Sequence, residues 1–136
     1  MEAVQYIVVR KDLVEKMGVG KTAAQVAHAS IAAVFGREQY HALLRNDIDA
    51  VIGQPALRSW LEGRFTKLVV YVKSKQQMLN LKEKLDNEKI RTIIIYDCCI
   101  TMLEPEEDDG TTLTCMGIVP LFRDSVPKCL QKLQLL

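Results

Sequence analysis

The chain has 136 residues, 49% of them hydrophobic and 26% charged, with a net charge of +1, counts that exclude a disordered, collagenous or fibrous protein. A domain of this size buries roughly 68% of its unfolded surface, so it needs neither disulfides nor a structural metal to stand. No apolar run approaches the ~20 residues of a membrane span, and Met1 to Lys11 lacks the charged start, apolar middle and cleavage site of a signal peptide, so a soluble chain with an intracellular, cytoplasmic address is expected.

In chain order, Val4 to Arg10 is rich in β-branched residues with little alternation, which predicts a buried strand near a sheet centre. From Lys21 to about Tyr40, Ala23, Ala27, Ile31 and Val34 recur at helical spacing and predict the packed face of a helix. Lys21, Gln25 and His28 share roughly the opposite side. Within Asp47 to Gly63, Pro55 can open a short helix that ends near Glu62. Lys67 to Val72 predicts a second strand. Ser74 then caps a helix over Lys75 to Glu88 that buries Met78, Leu81 and Leu85. Ile90 to Asp97 predicts a third strand, Glu104 to Gly110 a polar turn, and Thr111 to Val119 a fourth strand. Asp124 or Ser125 is expected to cap a last helix carrying Val126, Leu130 and Leu133.

The order β-α-(α)-β-α-β-β-α predicts an α/β fold: one three-layer domain over residues 1–136, with a mixed, mostly four-stranded sheet flanked by helices. Ligands in such folds bind beyond the carboxyl ends of the parallel strands. The segments that run into such ends are Arg10 to Lys21 and Asp97 to Thr101.

Charge is distributed unevenly. Arg58 to Arg91 holds nine basic residues against four acidic ones, while Asp97 to Gly110 carries six acids and no base. One face can therefore meet a polyanion, although a solvated charge run is the plainer reading. Gly18-Val-Gly20-Lys21-Thr22 at a helix start invites a phosphate-loop reading, but Glu15 stands where that motif needs its first glycine. Free amides beside Lys21 still suit an anion. Cys98 and Cys99 lack a two-residue spacer and share no ligand spacing with His28 or His41, so no metal is expected. The four cysteines read as reduced thiols. A Cys98 or Cys99 nucleophile paired with His28 is an alternative that the sequence alone leaves open.

Arg10-Lys11-Asp12-Leu13 followed by Met17-Gly18-Val-Gly20-Lys21-Thr-Ala-Ala-Gln25-Val-Ala-His28-Ala29 resembles the opening of the archaeal and eukaryotic type of peptidyl-tRNA hydrolase. Trp60-Leu-Glu-Gly63 before Lys67-Leu-Val-Val, Tyr96-Asp97 with Thr101, and Thr114-Cys-Met-Gly117-Ile-Val-Pro120 follow in the family's order, so nearly the whole chain is covered. The chain departs from the family at Cys98-Cys99 and Ile100, where Ala-Gly and Arg are usual, and at Val119, where Gly is usual.

The resemblance implies hydrolysis of the ester between a peptide and the 3′ end of tRNA, without metal or cofactor. Lys21 would contact phosphate or the tetrahedral oxyanion. Asp97 would orient or deprotonate water, Thr101 would hold that water or the ribose, and His28 would serve as base or tRNA contact. Substrate binding would fall to Gly18, Gly20, Gln25, Arg10, Lys11, Lys67 and Thr114, with mostly phosphate-directed contacts to the acceptor end. A homodimer is one assembly to test, and a tRNA-binding module that kept the fold without efficient turnover is the alternative function.

Overall fold

The computed structural model describes residues 1–36 and 55–136. Expectations that fall on 37–54, including the helix end near Tyr40, the start of the Asp47 segment and His41, lie outside the described residues. The elements are β1 (Ala3–Arg10), α1 (Lys11–Phe35), α2 (Pro55–Glu62), β2 (Lys67–Val72), α3 (Lys75–Asn87), β3 (Thr92–Asp97), β4 (Thr112–Ile118), β5 (Leu121–Phe122) and α4 (Lys128–Gln131).

The sheet runs β2-β1-β4-β3, with β5 pairing the start of β1. Strand β1 is parallel to β2 and antiparallel to β4, and β4 is antiparallel to β3. Strands β1, β2 and β3 therefore point the same way, and Arg10, Val72 and Asp97 finish at the same end of the sheet. The mixed α/β sheet expected from the sequence is present, with two-residue β5 as its fifth strand.

Both faces of β1 are covered, which is why its sequence reads as a continuous apolar run. Val4 and Val8 pack with Met78, Leu81 and Leu85 of α3 and with Val126 and Leu130. The alternate residues Ile7 and Val9 pack with Ala29 of α1 and Cys115. Ala3 meets Val34, Leu57 and Trp60. Three layers result, with α1 and α2 on one side of the sheet and α3 on the other.

Helix α3 forms as expected: the Ser74 hydroxyl accepts the Gln77 N–H at 3.2 Å. Its other end closes with Lys89 at φ 59°, where the Lys89 N–H reaches the Asp86 carbonyl and the Ile90 N–H the Leu85 carbonyl, the bond pair of a left-handed helix stop. Two other expectations fail. The last helix is capped by neither Asp124 nor Ser125. Residues 123–125 form a 3-10 turn, and Pro127 precedes a helix of only four residues, because proline supplies no N–H and holds Val126 extended.

The second failure is the face of α1. Ala23, Ala27 and Ile31 are exposed, whereas Thr22, Gln25, Ala29, Ser30 and Ala33 are buried with Val34. Polar residues occupy the inner face because the sheet supplies their partners: the Ser30 hydroxyl donates to Gln5 Oε1, and Gln5 Nε2 donates to the Ser30 carbonyl at 3.1 Å. Close approach is permitted by Gly117 on β4, where an added Cβ would lie 2.0 Å from the Ala29 carbonyl oxygen. The exposed face of α1 instead lines a groove of about 500 Å³ together with Leu57, Trp60 and Phe65.

Candidate active site

Helix α1 is broken at Gly18, whose φ of 75° and ψ of 175° leave the helical region; a side chain there would be strained, which is why glycine serves. The break re-aims the chain so that Lys21 begins the second helical stretch facing the end of β3. Lys11 to Met17 is already helical, so no loop wraps around a phosphate in the manner of a nucleotide-binding loop.

Lys21 Nζ lies 3.0 Å from Asp97 Oδ2, and it also donates to the Thr101 carbonyl and approaches Thr101 Oγ1 at 3.4 Å. The three family-matched residues thus meet although Lys21 and Thr101 stand 80 residues apart. Asp97 is 9% exposed. Its Oδ2 also accepts the Cys99 N–H at 2.9 Å, and its Oδ1 accepts only a long bond of 3.4 Å from Gln25 Nε2. Oδ1 is the oxygen with free acceptor capacity.

A β-bulge sets the far wall. Ile95 pairs with Cys115 but Tyr96 pairs with Leu113, so Thr114 is an extra residue on β4. A bulge turns two successive side chains toward the same side. The Thr114 hydroxyl consequently joins Cys115 on the α1 side and donates to Gln25 Oε1 at 2.7 Å. This bond orients the Gln25 amide with its nitrogen toward Asp97.

The remaining expected site residues divide. Gln25 and Thr114 are buried and linked through Gln25 to Asp97. Arg10 is 3% exposed, and its guanidinium is taken up by Asp12, Glu106 and the Leu113 carbonyl. Burial by itself would lower its pKa, but the hydrogen bonds it donates to Glu106 and Asp12 outweigh that and raise it. Arg10 thereby anchors the acidic turn. Glu107 of that turn pairs with Lys75.

Lys67 does not join the cluster. It begins β2 opposite Gln5, whereas Val72 at the strand's other end pairs with Arg10, and five residues of strand span about 17 Å. Its ammonium lies over the Phe65 ring at 3.2 Å and donates to the Phe65 carbonyl at 3.1 Å, and burial lowers its pKa. His28 is exposed on α1, about 10 Å along the axis from Lys21. Gly20 and Lys11 are exposed at the cluster's edge. Lys73, which the sequence reading passed over, is exposed immediately after β2 at the same end of the sheet as Asp97. Its signal was available: a lysine directly after a parallel strand.

The model of the family described as peptidyl-tRNA hydrolase PTH2 matches residues 3–136. The chain belongs to that family. A peptidyl-tRNA hydrolase of Sulfurisphaera tokodaii is 37% identical over 130 residues, covering 96% of this chain and 95% of its own. One of Methanopyrus kandleri is 33% identical over 132 residues, 97% of either chain, and one of Saccharolobus solfataricus is 34% identical over 130 residues, 96% of either. Against the PTH2 pattern, the departure at Cys99 carries a visible cost: this residue keeps φ 59°, a conformation that glycine adopts without penalty. The Lys21, Asp97 and Thr101 contacts form regardless. All four cysteines are free thiols, and no helix among the described residues is long and apolar enough to cross a membrane.

Proposed function

We propose that this PTH2 chain hydrolyses the ester joining a peptide to the 3′ ribose of tRNA, with Asp97 as the proton acceptor and Lys21 as the oxyanion partner. The observation that carries the reading is the meeting of Lys21 Nζ and Asp97 Oδ2 at 3.0 Å beside Thr101. Water held at Asp97 Oδ1 gives up a proton as its oxygen attacks the ester carbonyl carbon. Negative charge develops on the carbonyl oxygen. Lys21 can turn toward it by giving up its longest bond, the 3.4 Å approach to Thr101 Oγ1. Collapse breaks the carbon–oxygen bond to the ribose, the leaving oxygen takes the proton from Asp97, and free peptide and tRNA remain. Thr101, freed from Lys21, positions the water or the ribose hydroxyl.

The chemistry is metal-independent in this reading. What supports it is the occupancy of Asp97: Oδ2 already holds Lys21 and an amide, which suits proton transfer better than cation ligation. EDTA should leave peptide release unchanged, and loss on chelation with recovery on added zinc would refute it. A cytoplasmic setting follows from the substrate, a product of translation. The homodimer belongs to the same proposal and is tested by sedimentation.

The deciding assay is release of labelled peptide from purified peptidyl-tRNA by wild type and Asp97→Asn. The variant keeps size and the acceptor that Lys21 and the Cys99 N–H use but puts an NH2 donor opposite Gln25 Nε2, and turnover should fall about 10²-fold with tRNA affinity preserved. Near-normal release by a folded variant would reduce Asp97 to a turn-forming residue. A binding module would instead retain tRNA in the wild type and release no peptide.

A further inference from the structure

Strand β3 leads from Asp97 directly into two cysteines that the hydrolytic reading does not use. Cys98 is exposed and Cys99 half-buried. The Cys99 N–H donates to Asp97 Oδ2 at 2.9 Å, and its Sγ lies 3.3 Å from Thr112 Oγ1 and 3.5 Å from the Asp97 carbonyl oxygen. The peptide unit between the two cysteines is therefore the one that holds the Asp97 carboxylate. Any reaction that joins the two sulfurs must pass through that unit.

We propose that Cys98 and Cys99 are a peroxide-oxidised site, at which a reversible disulfide between neighbours switches hydrolysis off by withdrawing the Cys99 amide from Asp97. The consequence for turnover rests on the reading of Asp97 given above. Cα atoms of adjacent residues are about 3.8 Å apart across a trans peptide, whereas ordinary disulfides span about 4.4–6.8 Å. Ring closure must therefore twist the intervening peptide and swing the Cys99 sulfur away from Thr112 toward exposed Cys98. The Asp97 carboxylate loses its amide donor and its alignment with Lys21. Strain in such a ring also makes the bond easy to reduce, which suits a switch rather than a staple.

The chemistry balances with a peroxide as the only co-reactant. Cys98 sulfur loses its proton and attacks a peroxide oxygen; the O–O bond breaks, and water or an alcohol departs, leaving a sulfenic acid. Cys99 sulfur then displaces the sulfenic oxygen, which leaves as water with the Cys99 thiol proton. Two thiols have lost two electrons and the peroxide has gained them; an external dithiol reverses the step by exchange. Cys115 does not compete, since it is fully buried and burial pushes its thiol up to about 12.

The test treats the purified full chain with hydrogen peroxide, removes the excess with catalase, and measures peptide release alongside the mass of the fragment bearing Cys98 and Cys99. Cleavage after Glu107 separates that fragment from Cys115. A loss of about 2 Da on the fragment, at least a tenfold fall in turnover and recovery with dithiothreitol are expected, while Cys98→Ser should keep its turnover through the same treatment. Oxidised fragment with unchanged turnover, inactivation without the mass loss, or equal inactivation of Cys98→Ser would each overturn the proposal. Comparison of wild type with Asp97→Asn under reducing conditions tests the hydrolytic reading separately, and the mass change with its reversal reports on the thiol pair whether or not that reading holds.

Discussion

Arg10 shows how one residue type serves different ends depending on where the chain places it. In sequence it is the first of two basic residues at a strand end, the pattern of a phosphate contact. In the structure its guanidinium satisfies two carboxylates and a buried carbonyl. Replacing it by Met leaves the Leu113 carbonyl without that donor and Glu106 without its partner, at a cost of roughly 2–3 kcal/mol. Denaturant unfolding should show that loss, while the Michaelis constant for peptidyl-tRNA at low salt should change little. A large rise in the constant with unaltered stability would return Arg10 to the substrate surface. Asp97 is the contrasting case, a strand-end carboxylate that keeps one oxygen lightly engaged and thereby available to water.

At the scale of elements, the site depends on how closely α1 lies against β4. Gly117 has no room for a side chain because the Ala29 carbonyl oxygen would lie 2.0 Å from its Cβ, and backbone cannot yield as a flexible side chain does. Gly117→Ala should therefore push α1 outward, destabilise the protein by about 1–3 kcal/mol and lower turnover as Lys21 and Gln25 draw away from Asp97. A folded variant with normal stability and turnover would show that α1 tolerates the shift. The end of α3 permits an independent gain. Exposed Lys89 holds φ 59° in the helix-stop position, so Lys89→Gly should add about 1 kcal/mol of stability, read as a raised denaturation midpoint, and leave peptide release unaltered.

Over the whole molecule, charge is arranged by edge more than by total. Three of the six acids from Asp97 to Gly110 are neutralised by basic residues from elsewhere in the chain, Asp97 by Lys21, Glu106 by Arg10 and Glu107 by Lys75. Lys11, Lys16 and Lys73 remain exposed around the carboxyl ends of the parallel strands. Three phosphate contacts imply that the Michaelis constant rises with roughly the second to third power of salt concentration, because each contact releases about one counterion. A salt titration of peptide release measures this slope directly, and a flat response would remove the phosphate contacts from the account. A short uncharged aminoacyl ester should be indifferent to salt in the same assay.

The sequence by itself determined the four main strands, the α3 helix with its Ser74 cap, the α/β class and, through its motifs, the family. These depend on local periodicity, on capping chemistry and on residue identity, all of which are written along the chain. Only the tertiary structure decided which face of α1 lies inside. Ala23, Ala27 and Ile31 have the better apolar spacing, yet Gln25 and Ser30 are buried because Asp97, Thr114 and Gln5 answer their hydrogen bonds from other elements. The same holds for Lys67 and His28, which share motifs with the site residues but are carried away from them by strand direction and helical rise. Burial of a polar group is favourable only where a partner waits, and a partner many tens of residues distant is a property of the fold, not of the local sequence.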